Sequence, residues 1–584
     1  MLTISLGGTD ISTRLLPTAS VHKSERAAAT ASFTYSPSGT PALPDALINL
    51  DVVINWSGER LFTGKVNSAV WDPGARNYKI EASDMLQESF EGKDDAAIQA
   101  LIPGCVYSES VFGARSDGWT YALDCLSTVA IDLYKDRFGD LQTTAWAAKA
   151  TADKTFTGAQ ILNDGAYSLH MASKRELITR HTISYQYRVS RWKVRDHKFS
   201  WSAFNSLAAG VRCATSWCDW IVNHQYYMPK HDTIVSAAQG TGWAIRTGSA
   251  WAVGAPDDDN GVHFQGHPVN GIYYCGPSGS IQVIWDNMGG SVADDAISAG
   301  WTGQRHWGQT VTEEYRITLA VPSAQAALGM LDTEDGAAYG VEADDSAFES
   351  NPIPQSAATW NTDSLGDHYQ DQEDEARRLL DLGCLINAGA TRILGAWRGN
   401  SVSVETAIVT DAELFQTVAI NTADIQAKGK VAEIQHNITG DRATTVWAIA
   451  ISTGPGDAGD SITIPARPDT SPIHTPPAAS TALGTAAGGC GDVIDFDEDW
   501  EGWTTFVPQV VNEVTYDGGG NPSQNTHTRP TCDAPAVEPT PEQLYPLRFK
   551  VTGPDIEAEA RDEVTATQAV IYNLSVPADT LVLT

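Results

Sequence analysis

Val52-Val53-Ile54-Asn55-Trp56-Ser57-Gly58-Glu59-Arg60-Leu61-Phe62-Thr63-Gly64-Lys65-Val66 reads as two strands joined by a turn. Val52, Ile54 and Trp56 fall on alternate positions, the period of a strand with one buried face. Ser57-Gly58 supplies the turn, and Leu61–Val66 the partner strand. Further on, Asp72-Pro73-Gly74 is a second turn, because Pro presets φ and Gly tolerates positive φ. Tyr78, Ile80 and Ala82 then alternate into a third strand. Three strands with tight turns make a meander, half of a small barrel, and predict a β-barrel domain over 1–95.

Working outward, 96–180 reads as a mixed α/β connecting domain, with helix around Ala122–Tyr134. Ile183, Tyr185, Tyr187 and Val189 share one face of a strand; Tyr315, Ile317, Leu319 and Val321 share another. They bound a β-rich, Trp-rich domain or insertion at 181–330. Residues 331–452 are expected to form a second barrel with a helix at 371–395. Asp371, Glu373, Asp374 and Glu375 suit the positive end of that helix's dipole, and Leu379, Leu380 and Ile393 belong to its apolar stripe. Residues 453–491 are a Gly/Pro/Ala/Ser/Thr linker, and 492–584 a C-terminal β-domain. The predicted class is mainly β with minor α.

Composition narrows the function. The 584 residues carry 72 Asp+Glu against 38 Lys+Arg, a formal charge of −34. Tight nucleic-acid binding needs the opposite sign, since neutralising phosphates drives it. A surface that DNA slides past is compatible with such a balance. The 8 cysteines, spread from Cys105 to Cys532 with no CxxC pair, make no disulfide scaffold. The N-terminus lacks the pattern of a signal peptide, and no apolar run of about 18 residues suggests a membrane anchor.

One internal echo matters. Gly64-Lys65-Val66 enters a strand that turns at Asp72-Pro73-Gly74 and returns through Tyr78–Ser83; Gly429-Lys430-Val431 does the same, turning at Gly440 and returning through Thr444–Ser452. Chance is the competing reading of so short a match.

On these residues the chain resembles the hub proteins at the tips of bacteriophage tails. The matching stretches are Leu61–Val66 through Asp84, His181–Arg188 leading to Phe199-Ser200-Trp201, Ala376–Arg398, and Lys428–Val431 through His436. The resemblance implies two related β-barrel hub domains per subunit and a homotrimer, whose six similar barrels meet a sixfold tail tube while offering threefold symmetry below. It implies a virion location, assembly in the host cytoplasm, and partners such as the distal tail ring and a central spike or fibre. Passing DNA would cross the lumen without specific binding.

Other motifs admit plainer readings. Trp217, Trp220, Trp243, Trp251, Trp285, Trp301 and Trp307 suit either a platform for a host surface glycan or ordinary packing, and packing is preferred. Arg188, Arg191, Lys193, Arg195, His197 and Lys198 form a basic run, suited to an acidic neighbouring subunit or to a solvated strand face. Cys213, Cys218 and Cys275 are not spaced diagnostically for zinc or an iron–sulfur cluster. Asp495, Asp497 and Asp499 start like a calcium loop, but Trp500 and Phe506 break the pattern. No GxSxG, HExxH or Walker A motif is present. The expectation is therefore a structural hub with no catalytic, cofactor or metal residues. A carbohydrate- or receptor-binding module is the alternative, and a cell-wall hydrolase the more remote one.

Overall fold

The computed structural model describes residues 1–162, 167–202, 298–342, 360–440, 442–471 and 555–584, and only short separate strands between 203 and 297 and between 472 and 554. Strands predominate.

The first sheet unit contains β1 (Leu2–Leu6), β2 (Leu15–Ser24), β3 (Thr30–Tyr35), β4 (Asp51–Trp56), β5 (Glu59–Asp72) and β6 (Asn77–Ser83). In space they run β2-β3-β6-β5-β4-β1, all neighbours antiparallel. The meander read from the sequence is β4-β5-β6. Ser57 and Gly58 both take positive φ, which lets a tight turn follow the strand twist. Asp72 Oδ1 accepts from the backbone of Gly74 and Ala75, fixing the second turn. Alternate residues from all six strands, among them Ile4, Val21, Phe33, Ile54, Phe62 and Ile80, meet in one core. Each such burial is worth about 1.5–3 kcal/mol.

The second unit is built from two distant stretches. β7 (Lys154–Thr157) and β8 (Tyr167–His170) join β12 (Asn400–Ala407), β13 (Thr417–Asn421), β14 (Ile425–Thr439) and β15 (Arg442–Ile451). The spatial order is β8-β12-β15-β14-β13-β7. Val402, Val418, Ile420, Val431, Trp447 and Ile449 fill its core.

Between β8 and β12 the chain forms a further sheet. β9 (Arg180–Ser202) pairs antiparallel with β10 (Ser298–Ala320) along its whole length. β11 (Asp332–Val341) adds parallel to β9, and β16 (Val564–Asn573) parallel to β10. A long helix, Glu375–Trp397, is capped by the Asp374 side chain and buries Leu382, Leu385, Ile386 and Ile393 against this sheet. Its length and hydropathy would also suit a membrane span; here packing on the sheet accounts for its apolar face.

Some expectations need correction. The helix expected around Ala122–Tyr134 runs over Gly118–Ser127, and Ile131–Lys135 is a strand paired antiparallel with Leu141–Ala145. The helix predicted at 371–395 packs on the β9–β10 sheet, not in the second unit, because Ile183, Tyr185, Ile317 and Leu319 offer it an apolar face. The second unit instead takes strands from 154–170, inside the stretch assigned to a connecting domain. In the C-terminal stretch, β16 and β17 (Leu581–Leu583) lend themselves to the middle sheet and to β14, because edges there accept them.

Candidate assembly interface

The echo at Gly64 and Gly429 extends through both units. Lys65 pairs with Ser83 and Val66 with Ala82, and a bulge follows at Asn67. Lys430 pairs with Ala450 and Val431 with Ile449, and a bulge follows at Ala432. The preceding strands match too: Val52 faces Gly64 and Ile54 faces Phe62, while Val418 faces Gly429 and Ile420 faces Ala427. Val66 N donates to Leu50 O at 3.0 Å, and Val431 N donates to Gln416 O at 3.0 Å.

The glycine has a physical reason at both sites. A Cβ on Gly64 would collide with the Ser83 carbonyl, and one on Gly429 with the Ala450 carbonyl, the equivalent atom. Bulges bend and twist a strand, and here the partner backbone closes on the glycine beside the bulge. In chain order the strands correspond as β1 to β7, β2 to β8, β3 to β12, β4 to β13, β5 to β14 and β6 to β15. One feature departs: β7 runs parallel to its neighbour, where β1 runs antiparallel.

The units join edge to edge. β2 of the first pairs antiparallel with the second half of β14, from Glu433 opposite Ser24 to Thr439 opposite Thr18. One continuous sheet results. Charges seal the joint. Lys23, 2% exposed, lies 3.4 Å from Glu413, and burial lowers the lysine's pKa while raising the carboxyl's. Glu25 binds Arg398 at 2.6 Å and reaches Lys430 at 3.5 Å. Burial brings the Lys430 pKa down to about 8, against the attraction of Glu25. Two guanidiniums lie against the Trp146 ring, Arg26 at 5.0 Å and Arg398 at 5.4 Å from its centre. His436 is buried beside Thr445, and desolvation, with a smaller push from Lys23, brings its pKa down to about 3.

The basic run finds its acids within the chain. Arg191 grips Asp371 with two hydrogen bonds, at 2.6 and 3.0 Å. Lys193, fully buried, sits 2.7 Å from Asp363 and 3.2 Å from Asp367, and Arg195 binds Asp367 and Glu557. These central residues are therefore neither a solvated face nor free to meet a neighbour. The alternation of Arg191, Lys193 and Arg195 along β9 was the available signal that they share one face.

Trp243 and Trp307 are buried, and Trp307 Nε1 donates to the Ala560 carbonyl. Trp217, Trp220, Cys213, Cys218, Asp497 and Asp499 lie outside the described residues, as do the side chains of Trp251, Trp285, Trp301, Cys275 and Asp495. Among the described residues no cluster of His, Cys, Asp and Glu could hold a metal ion.

No protein-family model and no curated protein matches this chain. Among solved structures it is similar to the tail protein from Neisseria meningitidis MC58, at 8% identity and a TM-score of 0.35, over 77% of this chain and 95% of that one. It is similar to the 43 kDa tail protein of prophage MuSo2 from Shewanella oneidensis, at 10% identity and a TM-score of 0.31, over 77% of this chain and 98% of that one. It is similar also to prophage tail protein gp18 from Listeria monocytogenes EGD-e, at 8% identity and a TM-score of 0.31, over 76% of this chain and 94% of that one.

Proposed function

We propose that this chain is a structural, non-enzymatic subunit of a phage tail tip, a hub that closes as a homotrimeric ring. The observation that carries the reading is the duplication. One chain holds two sheet units with the same strand order, the same glycine and the same bulge, already joined side by side. Three such chains present six similar units. A threefold body can then seat on a sixfold tube, while its other elements keep threefold symmetry.

In this reading the ring joins the tail tube to the tip complex and touches the distal tail ring on one side and a spike or fibre on the other. DNA passes through its lumen without specific contacts. Ring closure also covers sheet edges that would otherwise invite stray pairing. The glycan-binding alternative gains nothing from Trp243 and Trp307, which are buried.

Native mass spectrometry of the full chain tests the reading. A trimer is expected, with six similar lobes around the axis in averaged electron-microscopy views. A chain that stays monomeric at micromolar concentration, and in the intact particle, would overturn it.

A further inference from the structure

The joint inside the chain has a counterpart on two edges that no described strand completes. In the second unit, one edge of Glu433–Thr439 is covered by β2. The corresponding half of β5 is Ser68–Asp72: Ser68 faces Glu81 as Glu433 faces Ala448, and Asp72 faces Asn77 as Asn437 faces Thr444. On that edge Ser68–Asp72 has no partner strand among the described residues. The counterpart of β2 is β8. Val21 opposite Ala31 corresponds to Leu169 opposite Val402, and His22 opposite Thr30 to His170 opposite Ser401. Ser20 and His22 thus recur as Ser168 and His170. The outer edge of β8 likewise has no partner strand among the described residues.

Exposure marks the same two edges. Val70 is 56% exposed, and Met171, directly after β8, is 47% exposed. Trp71 and Leu169 are only partly buried, whereas their counterparts in the internal joint, His436 and Val21, are buried at 1% and 0%. An edge with unpaired backbone groups and exposed apolar side chains recruits another strand.

We propose that copies of this chain join through these edges. Ser68–Asp72 of one copy pairs antiparallel with Tyr167–His170 of the next, in the register that β14 and β2 already use. Asp72 then meets Ser168, Trp71 meets Leu169, Val70 meets His170, and Ala69 meets Met171. The contact is head-to-tail: each copy offers one edge of each kind, so pairing continues until the ring closes. The inference rests on the ring reading for its closure but specifies which surfaces touch.

A double variant, Val70→Cys with His170→Cys, tests the register in the full-length chain. Under mild oxidation, non-reducing electrophoresis should show covalent multimers. Each single variant, and Val70→Cys paired with Ser168→Cys, should show at least tenfold less. As a second measurement, Val70→Lys should keep the thermal melting profile of the monomer and weaken self-association at least tenfold. Assembly that persists with Val70→Lys, or with no preference for the proposed register, overturns the edge assignment and leaves the ring standing. A chain that never self-associates overturns both.

Discussion

Lys65 and Lys430 occupy the same place in two copies of one sheet, yet they live in different media. Lys65 is half exposed and 3.8 Å from Asp51; Lys430 is 2% exposed, enclosed by Glu25 and the carbonyls of Leu414 and Val431. Trp71 and His436 differ in the same sense. Local sequence does not cause this, because the strands, glycines and bulges agree. The difference is a neighbour: β2 covers the second unit, and no described strand covers the first. One unit therefore shows what the other becomes when its edge is occupied.

The largest expected effect tests whether the units are the same object. Gly64→Ala and Gly429→Ala should each destabilise the fold by about 3 kcal/mol, as overpacking against a partner backbone does. Chemical denaturation of both variants checks this. A tolerated alanine at either site would break the equivalence.

The next effect should split the pair. Lys430→Ala leaves Glu25 with Arg398 alone and empties the space filled by the buried lysine stem, and should cost about 2 kcal/mol, the low end for a large-to-small change in a core. Lys65→Ala, on the exposed edge, should stay within about 0.5 kcal/mol in the isolated chain. Equal losses would mean that the edge of the first unit is covered after all.

Acid should act on one unit first. The fold holds His436 neutral, with a pKa near 3 against an ordinary value of 6.5. Its contribution is therefore fully present above 6.5 and lost as pH falls toward 3, about 2 kcal/mol by pH 5. Lys430 runs the other way: its pKa is lowered to about 8, so raising pH through that value relieves a burial cost. Hydrogen exchange, corrected for intrinsic rates, should show Ile434–Ile438 losing protection between pH 7 and pH 5 sooner than Val66–Val70. Equal loss in both would contradict the assignment.

The smallest effect sharpens the picture of the joint. His22 and Glu433 meet at 2.7 Å across it but are 40% and 46% exposed. His22→Ala should change stability by less than about 0.5 kcal/mol, since exposed pairs contribute little. A larger loss in a melting experiment would show that the rim of the joint matters as well as its buried core.

Much of this was legible along the chain. The alternation at Val52–Trp56, the turns at Ser57-Gly58 and Asp72-Pro73-Gly74, and the strands at Ile183–Val189 and Tyr315–Leu319 are local patterns of side-chain period and backbone φ. Gly64-Lys65-Val66 and Gly429-Lys430-Val431 carried the duplication in three letters, because the close approach beside each bulge excludes a Cβ. The partners of Arg191, Lys193 and Arg195 were not legible: Asp371, Asp363 and Asp367 lie some 170 residues downstream, among many acids of equal standing.

By itself, then, the sequence marked many of the strands and turns and offered, in a three-residue echo, a hint of duplication. Only the tertiary structure decided which strands lie side by side: that β7 and β8 reach across more than 200 residues to complete the second unit, that the long helix serves the middle sheet, and that β2 seals β14. The physical reason is that ladder hydrogen bonds use backbone groups common to every residue, so an edge carries no address in its letters. Loop-closure cost also rises slowly with length, leaving distant partners nearly as available as close ones. Register and partner are settled by which apolar faces can share a core.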